Sequence, residues 1–394
     1  MVATGWLRPL HAPKRWLPPE PINLIQPAMN AVSQPPLTTA RTGWADAFTW
    51  PLAPGHFLAL INPLWSGDRV QARIERARME TADTRTLVLR LGRGWHRHRA
   101  GQHVQVSLAI HGVLRTRTYS ISSAPTRGRH IRITVKAMGQ GGVSEHLVRH
   151  AQVGDVLTLS PPHGDFMLPR PVPRQMLLVS GGSGITPLMA MLRRLAARSQ
   201  LWDVVHVHYA TEASDVIFRD DLNTLQARHP SYRLHRIYTR EGGVAAGERH
   251  FSAAQLARLC PDWAERQAFA CGPEALLARL DAHWADTGLS EQLNIERFHA
   301  QLATPPATAH GGAIVFQRSG VNTTADGTTP LLLVAEGAGL QPPHGCRMGI
   351  CHGCDAVLLS GCVRDLRNNT VYNTPGQRVQ PCVCAAAGDA TLDL

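Results

Sequence analysis

The hydrophobic rhythm of the chain changes twice. From about Gly67, the segments VQARIERARME (70–80), TRTLVLRL (84–91), GQHVQVSLAI (101–110) and HIRITVKAM (130–138) alternate apolar and polar residues, with Gly and Pro between them. Period-two alternation marks strands buried on one face, so this stretch predicts an antiparallel barrel or sandwich. From about Gln175, short apolar runs take over. MLLVSGG, VVHVHYA, RLHRIYTR and QAFACGP read as strands; PLMAMLRRLAA, FRDDLNTLQARH and EALLARLDAHWADTG read as helices. Strand alternating with helix predicts a parallel α/β domain. AQLATPPATAHGG (300–312) is a linker by composition. Beyond it AIVFQRSG predicts a strand. Thr329 as N-cap and Pro330 at the first helical position then open a helix that closes on Gly339. The divisions expected are an extension over 1–65, a barrel over 66–172, an α/β domain over 173–299, a linker over 300–310 and a last domain over 311–394.

The extension is rich in Pro and holds five of the nine tryptophans (Trp6, Trp16, Trp44, Trp50, Trp65). Prolines break any long helix, and so many tryptophans predict docking on the body at least from Trp44 onward. A disordered leader fits residues 1–40 equally well. No run reaches the roughly 20 apolar residues of a membrane span, and the N-terminus has no signal-peptide core. A cytoplasmic monomer is expected, peripheral to a membrane only through a partner.

Net charge is +11, but from Gly311 on there are five arginines against six acids, so the excess lies upstream. Only Lys14 and Lys136 of the forty basic residues are lysines. No basic stripe with interleaved aromatics is present, which argues against a nucleic-acid partner. Cofactor phosphates and anionic partners remain as sinks for the charge.

Six of the eight cysteines fall in the last 49 residues. Such clustering points to a metal or redox centre, not a disulfide framework. Cys346, Cys351 and Cys354 are spaced C-x4-C-x2-C, the spacing of plant-type [2Fe-2S] ligands, which adds a distant fourth Cys. Gly345, Gly349 and Gly353 let the loop backbone approach the sulfurs. The fourth ligand is Cys362, Cys382 or Cys384. Zinc on Cys351, Cys354, Cys382 and Cys384 is the competing arrangement; it leaves Cys346 unused.

The segment PCVCAAAGDATLDL resembles the end of plant-type [2Fe-2S] ferredoxins, and the resemblance extends over about 311–394. It implies a β-grasp fold and, through Gly388-Asp389, puts the fourth ligand at Cys382. Upstream, RTYS (117–120), GQGGVS (139–144) and GDVLTLSPPHGDFML (154–168) resemble the flavin domain of the ferredoxin–NADP reductase superfamily. The resemblance implies that Arg117 meets flavin phosphate, that Tyr119 packs on the isoalloxazine, and that Ser120 bonds near flavin N5, with Thr118 between them. Gly141, Gly142, Val143 and Ser144 would take the pyrophosphate at a helix start.

VSGGSGITP (179–187) is similar to the family's nucleotide loop, which places Gly181, Gly182, Gly184, Thr186 and Pro187 at the dinucleotide. ACGPE (270–274) resembles the loop that presents Cys271, Gly272 and Pro273 to the nicotinamide; the bland reading of Cys271 is a buried strand-end residue. ERF (296–298) resembles the domain end, where Phe298 borders the flavin. Thr239 and Arg240 suit the 2′-phosphate of NADPH, whereas Glu212 favours NADH. FAD is expected from the glycine-rich helix start, with FMN the alternative.

The implied function is a relay: NADPH to flavin beside Tyr119, Ser120 and Cys271, then to the cluster, then to an outside acceptor. PLAPGHFLALINPLWSGDRVQARI (51–74) resembles the lead-in of bacterial reductases serving membrane fatty-acyl desaturases, which implies a membrane-bound di-iron desaturase as partner. The alternatives are the reductase of a ring-hydroxylating dioxygenase or other monooxygenase, and, from another class, a non-catalytic redox sensor.

Overall fold

The computed structural model of the chain describes residues 62–65, 70–110, 112–138, 142–240, 249–298, 303–345, 347–349 and 352–394. The extension up to residue 61, most of the lead-in segment 51–74, Gly141, Cys346 and Cys351 lie outside the described residues.

The alternating region forms β1 (Val70–Thr81), β2 (Thr84–Leu91), β3 (His103–Ile110), β4 (Val113–Ser120), β5 (His130–Lys136), α1 (Val143–Arg149) and β6 (Val156–Leu159). The antiparallel order is β4-β3-β6-β1-β2-β5. A bridge between Ile121 and Ile133 joins the two outer strands and curls the sheet toward a barrel. Ile74, Leu87, Leu89, Val104, Val106 and Ile133 fill its interior, fully buried. α1 adds Val143, Leu147 and Val148 to that core.

The second region forms β7 (Gln175–Gly181), α2 (Ile185–Ala196), β8 (Asp203–Ala210), α3 (Arg219–Arg228), β9 (Tyr232–Tyr238), α4 (Ala253–Leu259), β10 (Gln267–Cys271), α5 (Glu274–Asp286) and β11 (Leu293–Glu296). All pairs are parallel, in the order β11-β10-β7-β8-β9. Successive β7 residues face opposite cores, Met176 and Leu178 toward α2 and α3, Leu177 and Val179 toward α4 and α5. This two-sided burial is why these strands read as continuous apolar runs.

The third region forms β12 (Gly312–Phe316), β13 (Val321–Ala325), α6 (Leu331–Gly337), β14 (Ala356–Asp365), β15 (Val371–Tyr372), β16 (Arg378–Val379) and β17 (Cys384–Leu392). The order β13-β12-β17-β14-β15, with β16 beside β14 and a parallel β12–β17 pair, is a β-grasp sheet with α6 packed on it. Two expectations need correction. The residue flanking α6 is Pro330 (ψ 132°), not Thr329. The Asp326 carboxylate accepts from the N–H groups of Thr328 and Thr329 and from both hydroxyls, so Thr329 is held in the preceding turn. The linker is also fixed earlier than its composition suggests. Ala303 N–H donates to Leu366 O (2.6 Å), and Asn369 Nδ2 donates to Thr304 O (3.0 Å). Among the described residues, no helix is long and apolar enough to cross a membrane.

Candidate functional site

β4 places the RTYS residues opposite β3, with Arg117 against Val106, Thr118 against Gln105, Tyr119 against Val104 and Ser120 against His103. Alternation sends Arg117 and Tyr119 to one face and Thr118 and Ser120 to the other. Tyr119 Oη and Thr118 Oγ1 are buried and have no hydrogen-bond partner among the described residues. Leaving a buried polar atom unpaired costs about 1–3 kcal/mol, so each of these hydroxyls is free to accept or donate to a molecule bound beside it. Burial pushes the Tyr119 phenol well up, against the opposing charge of Arg117, and keeps it neutral.

Burial also pushes the Arg117 guanidinium down, and Arg347 of the third region adds to that shift while Glu336 opposes it. Arg347 donates to Glu336 (Nη1 to Oε2, 3.0 Å) and lies next to position 346 of the cysteine loop. The cysteine loop and the RTYS strand therefore share one electrostatic neighbourhood. At α1, Gly142 is the extended N-cap with no side-chain cap, and Val143 is buried. The Ser144 hydroxyl accepts from Met138 N–H (3.1 Å), so toward a ligand this turn offers chiefly backbone N–H groups.

In the α/β region, Gly181 ends β7, Gly182 is left-handed (φ +51°) and Gly184 precedes α2. A Cβ on Gly184 would lie 2.1 Å from Cys271 O, and one on Gly181 would lie 2.6 Å from Pro273 Cδ. Gly272 faces Gly181 N at 3.0 Å in the same way. The glycine loop and the Cys271–Pro273 loop thus interlock, and only hydrogen fits at their contact. Thr186 Oγ1 donates to Ser183 O (2.9 Å), which opens α2, and Pro187 follows in the buried first turn. Beyond β9, Thr239 N–H donates to Ala210 O (2.9 Å) and Arg240 N–H to Thr211 O (3.1 Å). Arg240 and Glu212 therefore stand exposed on adjacent turns.

Cys271 ends β10 between Ser180 on β7 and Glu296 on β11. It is fully buried, and burial, with Glu296 adding to it, pushes its thiol well up, so it stays protonated. His103 Nδ1 lies 3.5 Å from Glu296 Oε1 and packs edge-on against His163, 4.3 Å between ring centres. Ser120, His103, Glu296 and Cys271 thus form a row of neighbours where barrel meets α/β region. His103 was not among the expected site residues. Its signal is the polar residue heading the strand HVQVSLAI; a Cβ added at Gly164 (φ +106°) would lie 2.7 Å from its ring. Phe298 packs against the α2 core.

Cys354 and Cys382 are buried together with Leu332 and Val383. Cys384 belongs to a separate core, paired with Asp365 across the sheet, and burial pushes its thiol up to about 12. Cys362 is half-buried on β14. Among the described residues, no three His, Cys, Asp or Glu side chains converge on a metal position. The loop backbone is left-handed at Arg347, Gly349 and His352. Arg367 braces it, donating to Gly349 O (2.7 Å), Asp365 (2.7 Å) and Gln380 Oε1 (3.1 Å). A Cβ on Gly349 would lie 2.5 Å from Arg367 Nη1. Dry thiols beside a tightly turned backbone suit a sulfide cluster.

Three family models match in succession: an oxidoreductase FAD-binding domain over 71–168, an oxidoreductase NAD-binding domain over 178–281, and a 2Fe-2S iron-sulfur cluster binding domain over 314–387. The chain is 42% identical to the NADPH oxidoreductase of Mycobacterium tuberculosis, across 95% of this chain and 97% of that one. It belongs to the iron–sulfur flavoproteins of the ferredoxin–NADP reductase superfamily. The reductase is also 31% identical to the glycine betaine monooxygenase reductase subunit of Chromohalobacter salexigens, across 77% of this chain and 89% of that one. The solved phthalate dioxygenase reductase shares its fold, with TM-score 0.57 and 23% identity over 84% of this chain and 99% of that one. FAD, a nicotinamide dinucleotide and a [2Fe-2S] cluster are its cofactors, and oxidoreduction is its activity.

Proposed function

We propose that this reductase draws electrons from NADPH and delivers them to an oxygen-activating di-iron enzyme, a membrane fatty-acyl desaturase. The relay is supported above all by one observation: a FAD-binding, a NAD-binding and a 2Fe-2S cluster-binding domain follow one another along a single chain. FAD, when bound, supplies hydride acceptance, and the cluster on Cys346, Cys351, Cys354 and Cys382 supplies one-electron transfer. The chain's own residues do the rest. Tyr119 offers an unpaired hydroxyl to FAD, with Thr118 turned to the other face of the strand, and the N–H groups opening α1 after Gly142 take its pyrophosphate. Gly181, Gly184, Gly272 and Pro273 lock the two loops together, and Gly182, with open space beside it, faces the dinucleotide. Cys271 offers a neutral thiol, and His103 Nδ1 and Glu296 Oε1 stand 3.5 Å apart beside Ser120. Arg240 is the donor for the 2′-phosphate; Glu212 opposes it.

The desaturase reading rests on the lead-in segment and on the extension. A match over 95% of the chain must take in most of residues 1–65, whereas one over 77% need not. A soluble monooxygenase is the second reading, favoured by the relative named a glycine betaine monooxygenase reductase subunit. Reconstitution separates them. NADPH-dependent desaturation of an acyl chain by this protein with a membrane desaturase supports the first. Turnover with a soluble oxygenase and none with the host's desaturases overturns it.

A further inference from the structure

A second basic site lies away from the redox centres. The β2–β3 connection, the turn after β4, the strand-free segment 168–172 and the far end of α2 enclose a cleft of about 230 Å³. Five arginines line it, Arg97, Arg99, Arg170, Arg194 and Arg198, and no Asp or Glu does. Among the described residues none of the five has a salt bridge, although arginines elsewhere pair freely with carboxylates, as Arg193 does with Asp221 at 2.8 Å. Two of the guanidiniums are held in place by backbone, Arg97 by Pro125 O and Arg99 by Leu168 O, each at 3.2 Å. Between them His98 forms a buried wall, its Nε2 3.2 Å from Ser123 O. Burial, and then the like charges of Arg198, Arg170 and Arg97, lower the affinity of Arg194 for its proton.

Uncompensated charges held this close repel unless an anion joins them. The glycine loop lies at the N-terminal end of α2 and this cleft at the C-terminal end, about 18 Å apart for a 12-residue helix. The dinucleotide phosphates at the glycine loop are therefore not its occupants, and no residue assigned above to FAD lines the cleft. The volume falls below the range of about 300–1,000 Å³ typical of whole-ligand pockets, and suits one or two phosphate groups. Planar guanidiniums bind phosphate oxygens in pairs. We propose that this cleft binds a multivalent phosphate group, carried either by a soluble phosphorylated compound or by an anionic lipid headgroup. The second source gains some support from Trp202, exposed beside Arg174 at 5.4 Å, on segments continuous with those of Arg198 and Arg170.

The test uses the purified holoprotein, with inorganic pyrophosphate as soluble probe and phosphatidylglycerol vesicles, against phosphatidylcholine ones, as lipid probe. Arg170→Gln/Arg198→Gln is compared with Arg219→Gln/Arg228→Gln, a control on exposed α3 that loses equal charge. Calorimetric or sedimentation affinity should drop at least about tenfold in the first variant and under about twofold in the control. Ferricyanide reduction by NADPH should be unchanged in both. Pyrophosphate binding without vesicle binding assigns a soluble ligand, and vesicle binding without pyrophosphate binding assigns a headgroup. Binding of neither probe overturns the proposal. So does pyrophosphate binding that the first variant leaves intact, which would belong to the nucleotide loop, or equal loss in both variants, which would be net charge alone.

Discussion

A single hydroxyl tests the flavin strand. Tyr119 Oη is buried and unpaired among the described residues. If FAD supplies its partner, Tyr119→Phe should lose about 1 kcal/mol of flavin affinity, roughly five-fold in Kd, measured by flavin fluorescence on dilution. Unchanged flavin retention would mean that the hydroxyl meets no cofactor atom. The cysteines permit a similar comparison. Cys382→Ser should abolish the iron and the visible cluster absorbance, because Cys382 lies with Cys354 in one dry pocket. Cys384→Ser should keep the iron and cost about 1–3 kcal/mol of stability, because it puts a hydroxyl into the sheet core. Two buried histidines predict acid sensitivity. Ser180 Oγ bridges His206 Nε2 and His208 Nδ1 at 2.7 Å each, and His206 Nδ1 meets Tyr232 Oη at 2.8 Å. Burial, with Arg236 adding to it, lowers His208 from 6.5 to about 3. The unfolded chain therefore takes up a proton below pH 6.5 that the native state refuses. Stability should fall with pH over that window, by about 2 kcal/mol per such histidine between pH 7 and pH 5. Urea titrations at the two pH values should show the loss, and His208→Asn should remove its share of the slope.

Among the elements, what the sequence disclosed followed from burial pattern. β1, β2, β3 and β5 were legible because each has one wet face, and β7, β8 and β10 because both faces are dry. β4 carried no such rhythm: VLRTRTYS keeps polar residues on both faces. The glycine loop was legible by type, but its reason was not. The clash that forbids a side chain at Gly184 comes from Cys271 O, 87 residues away in sequence. His103 beside Glu296 was hidden for the same reason. Arg266 is another long-range tie that no local pattern announces. Its buried guanidinium joins the end of β8, through Asp203 (2.8 Å), to Asp262 (2.6 Å) after α4. Arg266→Ala would leave Asp203 paired with Arg233 and Asp262 partly solvated, and should cost about 1–3 kcal/mol in thermal or urea unfolding. A cost below about 1 kcal/mol would mean that the three-residue tie contributes little to anchoring α4.

For the whole molecule, the question is what keeps the cysteine loop near the flavin strand. The third region is nearly neutral, so long-range steering is weak and proximity must come from the chain or from packing between the regions. A short tether gives an effective concentration on the order of millimolar. The two causes separate if a protease site is placed within residues 300–302, ahead of the point where Ala303 and Thr304 bond to the third region. Cleavage at protein concentrations of about 1 µM should leave ferricyanide reduction by NADPH intact, because that acceptor takes electrons from flavin, and should cut cytochrome c reduction at least about tenfold. Salt should then change the remaining rate little, since the third region is nearly neutral and charges are screened over about 10 Å at 0.1 M. If cytochrome c reduction survives both cleavage and salt, packing between the regions holds the relay together, and the linker sets only their stoichiometry.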